Sequence, residues 1–371
     1  DDAYAFMVAW ETMALSSFFL VTANHKLPEV QEAGFLYLLI AHVGAIGILL
    51  CFGVLQANSG DYTFANMRAQ SLSPFWASTA FILALFGFGA KAGMLPLHVW
   101  LPEAHPAAPS PVSALMSGIM LKTAIYGLLR ISFDLLHVNV WWWGGLLLAL
   151  GLATALFGVV FATVQTDMKR LLAYSSIENI GLLLAGIGLA LIFHAYHMPA
   201  LTALALTAVL YHVVSHAFFK SLLFLGTGAV LHATGERNLG RLGGLIRYMP
   251  WVAWLMLIGV ILLVLEFRSS SALAAAYGIA VSGTMIITTL LSAVVFVATR
   301  GKYRIALLAL LAVFGLLELS FFASNLTKIA DGGWFPLVLG GAIFLLLMTW
   351  KKGSHLVSAQ RSKLDLPVAG L

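Results

Sequence analysis

Residues 81–100 read FILALFGFGAKAGMLPLHVW, an apolar run interrupted by one amine, Lys91, and then by Pro96. A charge at the centre of a bilayer costs at least ~2.5–3.5 kcal/mol on insertion scales, and the ionisable groups found there face a bundle interior or a hydrated cavity. Proline removes a backbone donor and breaks the helical ladder. The backbone groups so freed are tolerated at membrane depth only where protein or a water-filled cavity satisfies them. A lysine beside a broken helix is therefore the physical profile of an ion pathway. The plainer alternative is a helix that stops at Pro96 and gives way to a loop over 101–111, where Pro102, Pro106, Pro109 and Pro111 follow.

The rest of the chain supports a membrane setting. Of 371 residues, 61% are hydrophobic and 9% charged, whereas a soluble domain carries about 25% charged residues. Mean hydropathy is +0.96. A spanning helix needs ~20 mostly apolar residues, and eleven segments qualify: 4–23, 34–56, 75–100, 111–133, 141–163, 171–194, 201–228, 251–266, 272–298, 304–323 and 334–350. The eighth is short and unusually uniform. The expected fold is all-α, a polytopic transmembrane helix bundle with one broken helix near Lys91–Pro96.

The net charge of +5 does not point to nucleic acid, because the basic residues gather in alternate loops. Lys169 and Arg170 follow the fifth span. Arg237, Arg241 and Arg247 follow the seventh, Arg300, Lys302 and Arg304 the ninth, and Lys351 and Lys352 the eleventh. The positive-inside rule puts these loops in the cytoplasm, the N-terminus outside and the C-terminus inside. The single cysteine, Cys51, excludes an internal disulfide and a cysteine metal cage, and its apolar surroundings suit a packed, inert thiol. The chain begins without Met or a visible signal peptide, almost directly in an apolar segment, and reads as a fragment.

Further ionisable residues stand at membrane depth. Glu11 lies mid-span in AFMVAWETMALSSFFLV, and Lys91 is its natural partner, since buried charges pair or neutralise. A protonated glutamate on a backbone carbonyl is the alternative. Lys91 either snorkels to an interface or faces inward and titrates, and its depth favours the second. Lys122 sits within the fourth span, in ALMSGIMLKTAIYG, where it would bridge Lys91 to a third site. That site is His212, His216 and Lys220 in YHVVSHAFFKSLLFL, spaced by four and hence on one helical face. Histidine suits proton hopping; packed, hydrogen-bonded histidines are the alternative. Zinc is disfavoured because the glutamate of HExxH is absent and a lysine follows one turn later. His42 and His194 read as structural.

These residues carry a resemblance. The stretches GFGAKAGMLPLHVWLPEAHPAAPSPVSALMSGIMLKTAIYGLLR (87–130), TDMKRLLAYSSIENIG (166–181) and YHVVSHAFFKSLLFLGTGAVLHATGERNLGRLGGL (211–245) resemble the antiporter-like, proton-translocating membrane subunits of respiratory complex I. They are closest to the relatives of those subunits in formate hydrogenlyase and group 4 membrane-bound hydrogenases. The resemblance covers roughly 1–248. It implies that Glu11 pairs with Lys91, and that Lys122, His212, His216 and Lys220 continue a hydrated axis. It implies no redox cofactor and no metal in this chain, with catalysis left to other membrane and peripheral subunits of a redox complex in a bacterial inner membrane.

From about 249 the resemblance changes. PWVAWLMLIGVILLVLEFRSSSALAAAYGIAVSGTMIITTLL (250–291) and LSFFASNLTKIADGGWFPLVLGGAIFLLLMTWKKG (319–353) are similar to Kup-type potassium uptake transporters, as the last four helices of their transport domain. The expected organisation is 1–248 as a partial proton-translocating domain, 249–350 as a Kup-like membrane segment and 351–371 as a short cytoplasmic tail. The second broken helix of the antiporter-like family, with its outlet residue, is replaced after Gly244. Most potassium ligands of the other family are missing, and Tyr277 in AAAYGIA is the one residue implied to line its ion path. Glu318 and Lys328, near span ends, read as anchors. The expected function is a partial proton-translocating subunit; the alternatives are a potassium:proton symporter fragment or a non-functional chimera.

Overall fold

The computed structural model describes residues 1–255 except 58 and 139, and beyond them residues 286, 289, 304–326 and 338. The chain divides into two compact units, Asp1–Arg268 and Ser269–Leu371. Among the described residues all regular structure is helical. Seven helical stretches are long and apolar enough to cross a membrane, and they fall on the first seven expected spans. Of the remaining expectations, 304–323 falls on a helix described below. Spans 272–298 and 334–350, most of 251–266, the tail 351–371, Tyr277 and Lys328 lie outside the described residues.

In the first unit α1 (Ala3–Val21) and α2 (Pro28–Leu55) form a hairpin, followed by the short α3 (Phe64–Ala69) and by α4 (Pro74–Ala92). Asp2 caps α1, its carboxylate accepting from Tyr4 and Ala5 N–H, as an N-cap aspartate does. The buried stripe of α1 is Ala3, Trp10, Ala14, Ser17 and Val21, the spacing of one helical face. After α4 come α5 (Leu101–Ala107) and α6 (Ser110–Leu115). Two π-helical segments, Met116–Met120 and Arg130–Leu135, flank α7 (Leu121–Leu129). The long α8 (Trp141–Thr163), α9 (Met168–Ala195) and α10 (Pro199–Thr234) follow, then a 3-10 turn, Leu239–Arg241, and α11 (Leu245–Tyr248).

The interruption in the third span falls at Gly93, ahead of Pro96. Gly93 takes a left-handed φ of 81° and caps α4, its N–H donating to Gly89 O, a conformation glycine adopts without Cβ strain. A Cβ there would lie 2.4 Å from Leu101 Cδ1. The chain restarts as α5 with Pro102 in its first turn, where proline is tolerated. Residues 101–107 are therefore helix and not loop. The backbone groups freed by the break are satisfied by protein. Trp100 Nε1 donates to Ala90 O at 3.0 Å, and Leu95 N–H donates to Thr154 Oγ1 at 3.2 Å.

Helices α8 and α9 pack backbone to backbone. A Cβ on Gly144 would meet Gly188 O at 2.5 Å, one on Gly151 would meet Ala185 N at 2.4 Å, and one on Gly158 would meet Glu178 N at 2.3 Å. Small residues permit this approach between membrane helices. The N-terminus of α9 is tied to the loop after α10: Asp167 and Asn238 form an isolated bridge, and Asp167 Oδ2 lies 3.4 Å from Arg237 Nε.

In the second unit the described helix is α12 (Arg304–Leu326). Its Glu318 accepts a hydrogen bond from Thr289 at 2.9 Å. Glu318 is thus held inside this unit by a threonine hydroxyl and is more than a simple anchor.

Candidate functional site

Three lysines at membrane depth are buried to within 2% exposure: Lys91, Lys122 and Lys220. Each occupies a point where helix geometry supplies an acceptor. Lys122 opens α7 just after the first π segment, and its Nζ donates to Ser117 O, five residues back. A π turn presents its carbonyls at that i to i+5 spacing. Lys220 Nζ donates to Leu172 O at 3.2 Å.

The two amines are joined by hydroxyls. Ser117 Oγ and Ser176 Oγ are 2.8 Å apart, and Ser176 also donates to Leu172 O at 2.8 Å. A polar seam therefore runs from Lys122 on the Ser117 carbonyl, past the Ser117 and Ser176 hydroxyls, to the Leu172 carbonyl that Ser176 and Lys220 share. It crosses from the first π segment to α9 and then α10. A Cβ on Gly118 would meet Ser221 Oγ at 2.1 Å, so glycine at 118 lets the π segment lie against α10.

The expected single face on α10 is present. The His212 and His216 rings stack at 5.9 Å and 18°. His216 is fully buried, and neither of its ring nitrogens has a hydrogen-bond partner among the described protein groups. The face continues one turn past Lys220 to Phe224, whose ring stacks on His105 at 4.6 Å and 17°. His105, in α5, is 0% exposed with both ring nitrogens unpartnered. Sequence reasoning passed over His105. Its signal was a histidine inside the proline-rich stretch directly after the broken helix.

Glu11 and Lys91 do not form the expected ion pair. Lys91 Nζ donates to Tyr37 Oη at 2.7 Å, and the Glu11 carboxylate lies 3.7 Å from His42 Nε2. The reason is azimuthal. Glu11 follows Trp10 on α1 and is turned ~100° from the buried stripe, towards the flank where it and His42 are 32% and 47% exposed. His42, read as structural, is thus the group beside Glu11, and Tyr37 is the partner of Lys91. The Tyr37 hydroxyl also lies 3.6 Å from Met120 Sδ, two residues before Lys122.

A basic cluster closes one end of the site. Lys169, 3% exposed, donates to Ala108 O at 2.6 Å. Arg237 donates to Pro106 O at 3.1 Å, and Arg170 pairs with Glu103 at 2.6 Å. These loop residues, read as topology signals, grip the segment between α5 and α6.

Comparison with known proteins places this arrangement. The family model for the NADH:quinone oxidoreductase/Mrp antiporter transmembrane domain matches residues 1–296, and the chain belongs to that family. A second model, the K+ potassium transporter integral membrane domain, matches residues 241–355, in agreement with the expected fusion. Hydrogenase-4 component B of Escherichia coli is 48% identical over 261 residues, which are 70% of this chain and 39% of that protein. Formate hydrogenlyase subunit 3 of the same organism is 40% identical over 258 residues, 69% of this chain and 41% of that one. The Mrp complex from Dietzia sp. superposes with a TM-score of 0.62 at 32% identity, covering 88% of this chain and 33% of that chain. The chain thus spans about two fifths of the curated relatives it matches.

Proposed function

We propose that residues 1–248 move protons through the membrane as part of a subunit that couples a redox complex, of NADH:quinone oxidoreductase or membrane hydrogenase type, to proton transfer. The observation that supports this reading is the buried polar seam of serine hydroxyls and backbone carbonyls between Lys122 and Lys220. The carbonyls at either end hold the amines and do not themselves relay a proton, so a proton moving between Lys122 and Lys220 would travel by water along the serine hydroxyls, which both donate and accept. His212 and His216 on one side of α10, and His105 in α5, stand as stacked rings whose nitrogens left unpartnered among the described residues are available to water in this path. Lys91, held by Tyr37, is the inlet amine, and Glu11 beside His42 is the acidic group on its flank. Protons suit these donors better than sodium, which takes a cage of oxygen ligands as hard cations do. The alternation of basic loops supports an orientation in a bacterial inner membrane with the N-terminus outside and the C-terminus in the cytoplasm. The partners are lipid and the other subunits of the complex.

The test is proton flux into proteoliposomes read with an entrapped pH dye. Flux should vanish in Lys91→Ala and in Lys122→Met while both variants still insert; flux retained in either removes that lysine from the path.

A second reading rests on the potassium-transporter match over 241–355. It makes the chain a potassium:proton symporter fragment with Tyr277 in the ion path. Potassium uptake lost in Tyr277→Ala supports it. Absence of both fluxes marks the chain as a chimera of two incomplete bundles.

A further inference from the structure

We propose that Tyr37 is the positioning residue of Lys91, holding its amine inside the bundle and out of reach of Glu11 through a hydroxyl pair formed with Ser17. The inference rests on the proton-translocation reading and adds to it the group that sets where the inlet amine sits. Tyr37 is 1% exposed. Its hydroxyl accepts from Lys91 Nζ at 2.7 Å, and its ring centroid lies 4.7 Å from the same nitrogen. The ring is fixed from another direction by Trp100, 5.0 Å away between centroids, whose indole N–H is itself committed to Ala90 O one residue before Lys91.

The direction of this chain is set by counting protons. A phenol has one. With Lys91 donating to Tyr37 Oη, the tyrosine proton goes to one of three acceptors in reach: Ser17 Oγ, Ala14 O at 3.4 Å or Met120 Sδ at 3.6 Å. Ser17 in turn can donate to Ala14 O at 3.0 Å. Ser17 Oγ is the nearest of these acceptors, which gives the order Lys91 to Tyr37 to Ser17 to the backbone of α1.

Ser17 and Glu11 belong to the same helix on different faces. Helix α1 thus offers the amine a neutral hydroxyl route on its buried stripe and a carboxylate on its flank. A phenol holds the amine by one hydrogen bond and a ring contact, without the mutual neutralisation that makes a buried ion pair hard to break. Lys91 is consequently poised to change partners.

The test joins infrared spectroscopy with flux on the full chain in lipid. With labelled tyrosine, the C–O band of Tyr37 is the one that disappears in Tyr37→Phe. It should shift in Lys91→Met and in Ser17→Ala. Flux in Tyr37→Phe should fall about tenfold or more, as expected for loss of one hydrogen bond to a charged group. The double variant Tyr37→Phe/Ser17→Ala should be no worse than Tyr37→Phe alone, since both cut one chain. A band indifferent to Lys91→Met overturns the proposal, as does full flux in Tyr37→Phe where Lys91→Ala has none. Flux unaffected by Lys91→Ala sinks the proton reading instead, and the band then decides the Tyr37–Lys91 hold by itself. If Tyr37→Phe does not fold, the Ser17→Ala band shift and flux carry the same decision.

Discussion

Lys122, Lys169 and Lys220 each give a proton to a main-chain carbonyl, of Ser117, Ala108 and Leu172 respectively. A carbonyl accepts from an amine without supplying a fixed counter-charge, so these amines are not locked in ion pairs. The lysines were legible in the sequence because a charge stands out in an apolar run. The serines were not: Ser176 back-bonds to Leu172 four residues earlier, as serine does in many membrane helices, and nothing local reveals that it also faces Ser117. Tyr37 was hidden for a related reason, as an aromatic in an apolar helix reads as packing. The Glu11–Lys91 pair failed because spacing along a chain does not give the angle at which a side chain leaves its helix. Ser176→Ala should cut proton flux several-fold while lowering stability by only about 1 kcal/mol, the usual worth of one hydrogen bond. Flux assays beside thermal melts in detergent test both halves of this expectation.

Among the elements, hydropathy placed the first seven spans well, because a run of about 20 apolar residues has few other readings. The break falls within the expected Lys91–Pro96 stretch, at Gly93 and three residues ahead of the proline. Proline is the louder signal, yet α4 ends where Gly93 turns left-handed. The π segments around α7 left no mark in the sequence, since hydropathy does not resolve a five-residue turn from a four-residue one. The α8–α9 contact depends on glycine more than on any polar group. Gly151→Leu would drive a side chain towards Ala185 N, 2.4 Å from where its Cβ must sit. The backbones cannot yield as a flexible side chain would, so the loss should reach about 1–3 kcal/mol or more. A lowered melting temperature with unchanged helical circular dichroism at low temperature is the expected result.

For the whole molecule, the loop after α10 ties the helical ends together, and Glu236 is its knot. The carboxylate accepts from Asn238 N–H at 2.8 Å and Arg237 N–H at 2.9 Å. The Asn238 bond above all holds its pKa below the ordinary 4.5. A carboxyl lowered on folding stabilises the fold fully above its unfolded value, and that contribution is lost as pH falls through the folded one. Melting temperature should therefore drop as pH falls below 4.5, and Glu236→Gln should flatten that acid limb; an identical limb in the variant argues against the role. The two-family composition was readable because each half keeps its own motifs. The glycines at 144, 151 and 158 recur at seven-residue steps, and those at 181 and 188 answer them from the opposite strand of the hairpin. A single residue inserted between 151 and 158 would swing the next glycine ~100° off the seam, putting a bulkier neighbour against the facing main chain. Descendants of this helix pair are free to drift in the identity of their outward side chains, but an insertion between these glycines keeps the seam only when it closes on whole turns, as seven residues nearly do.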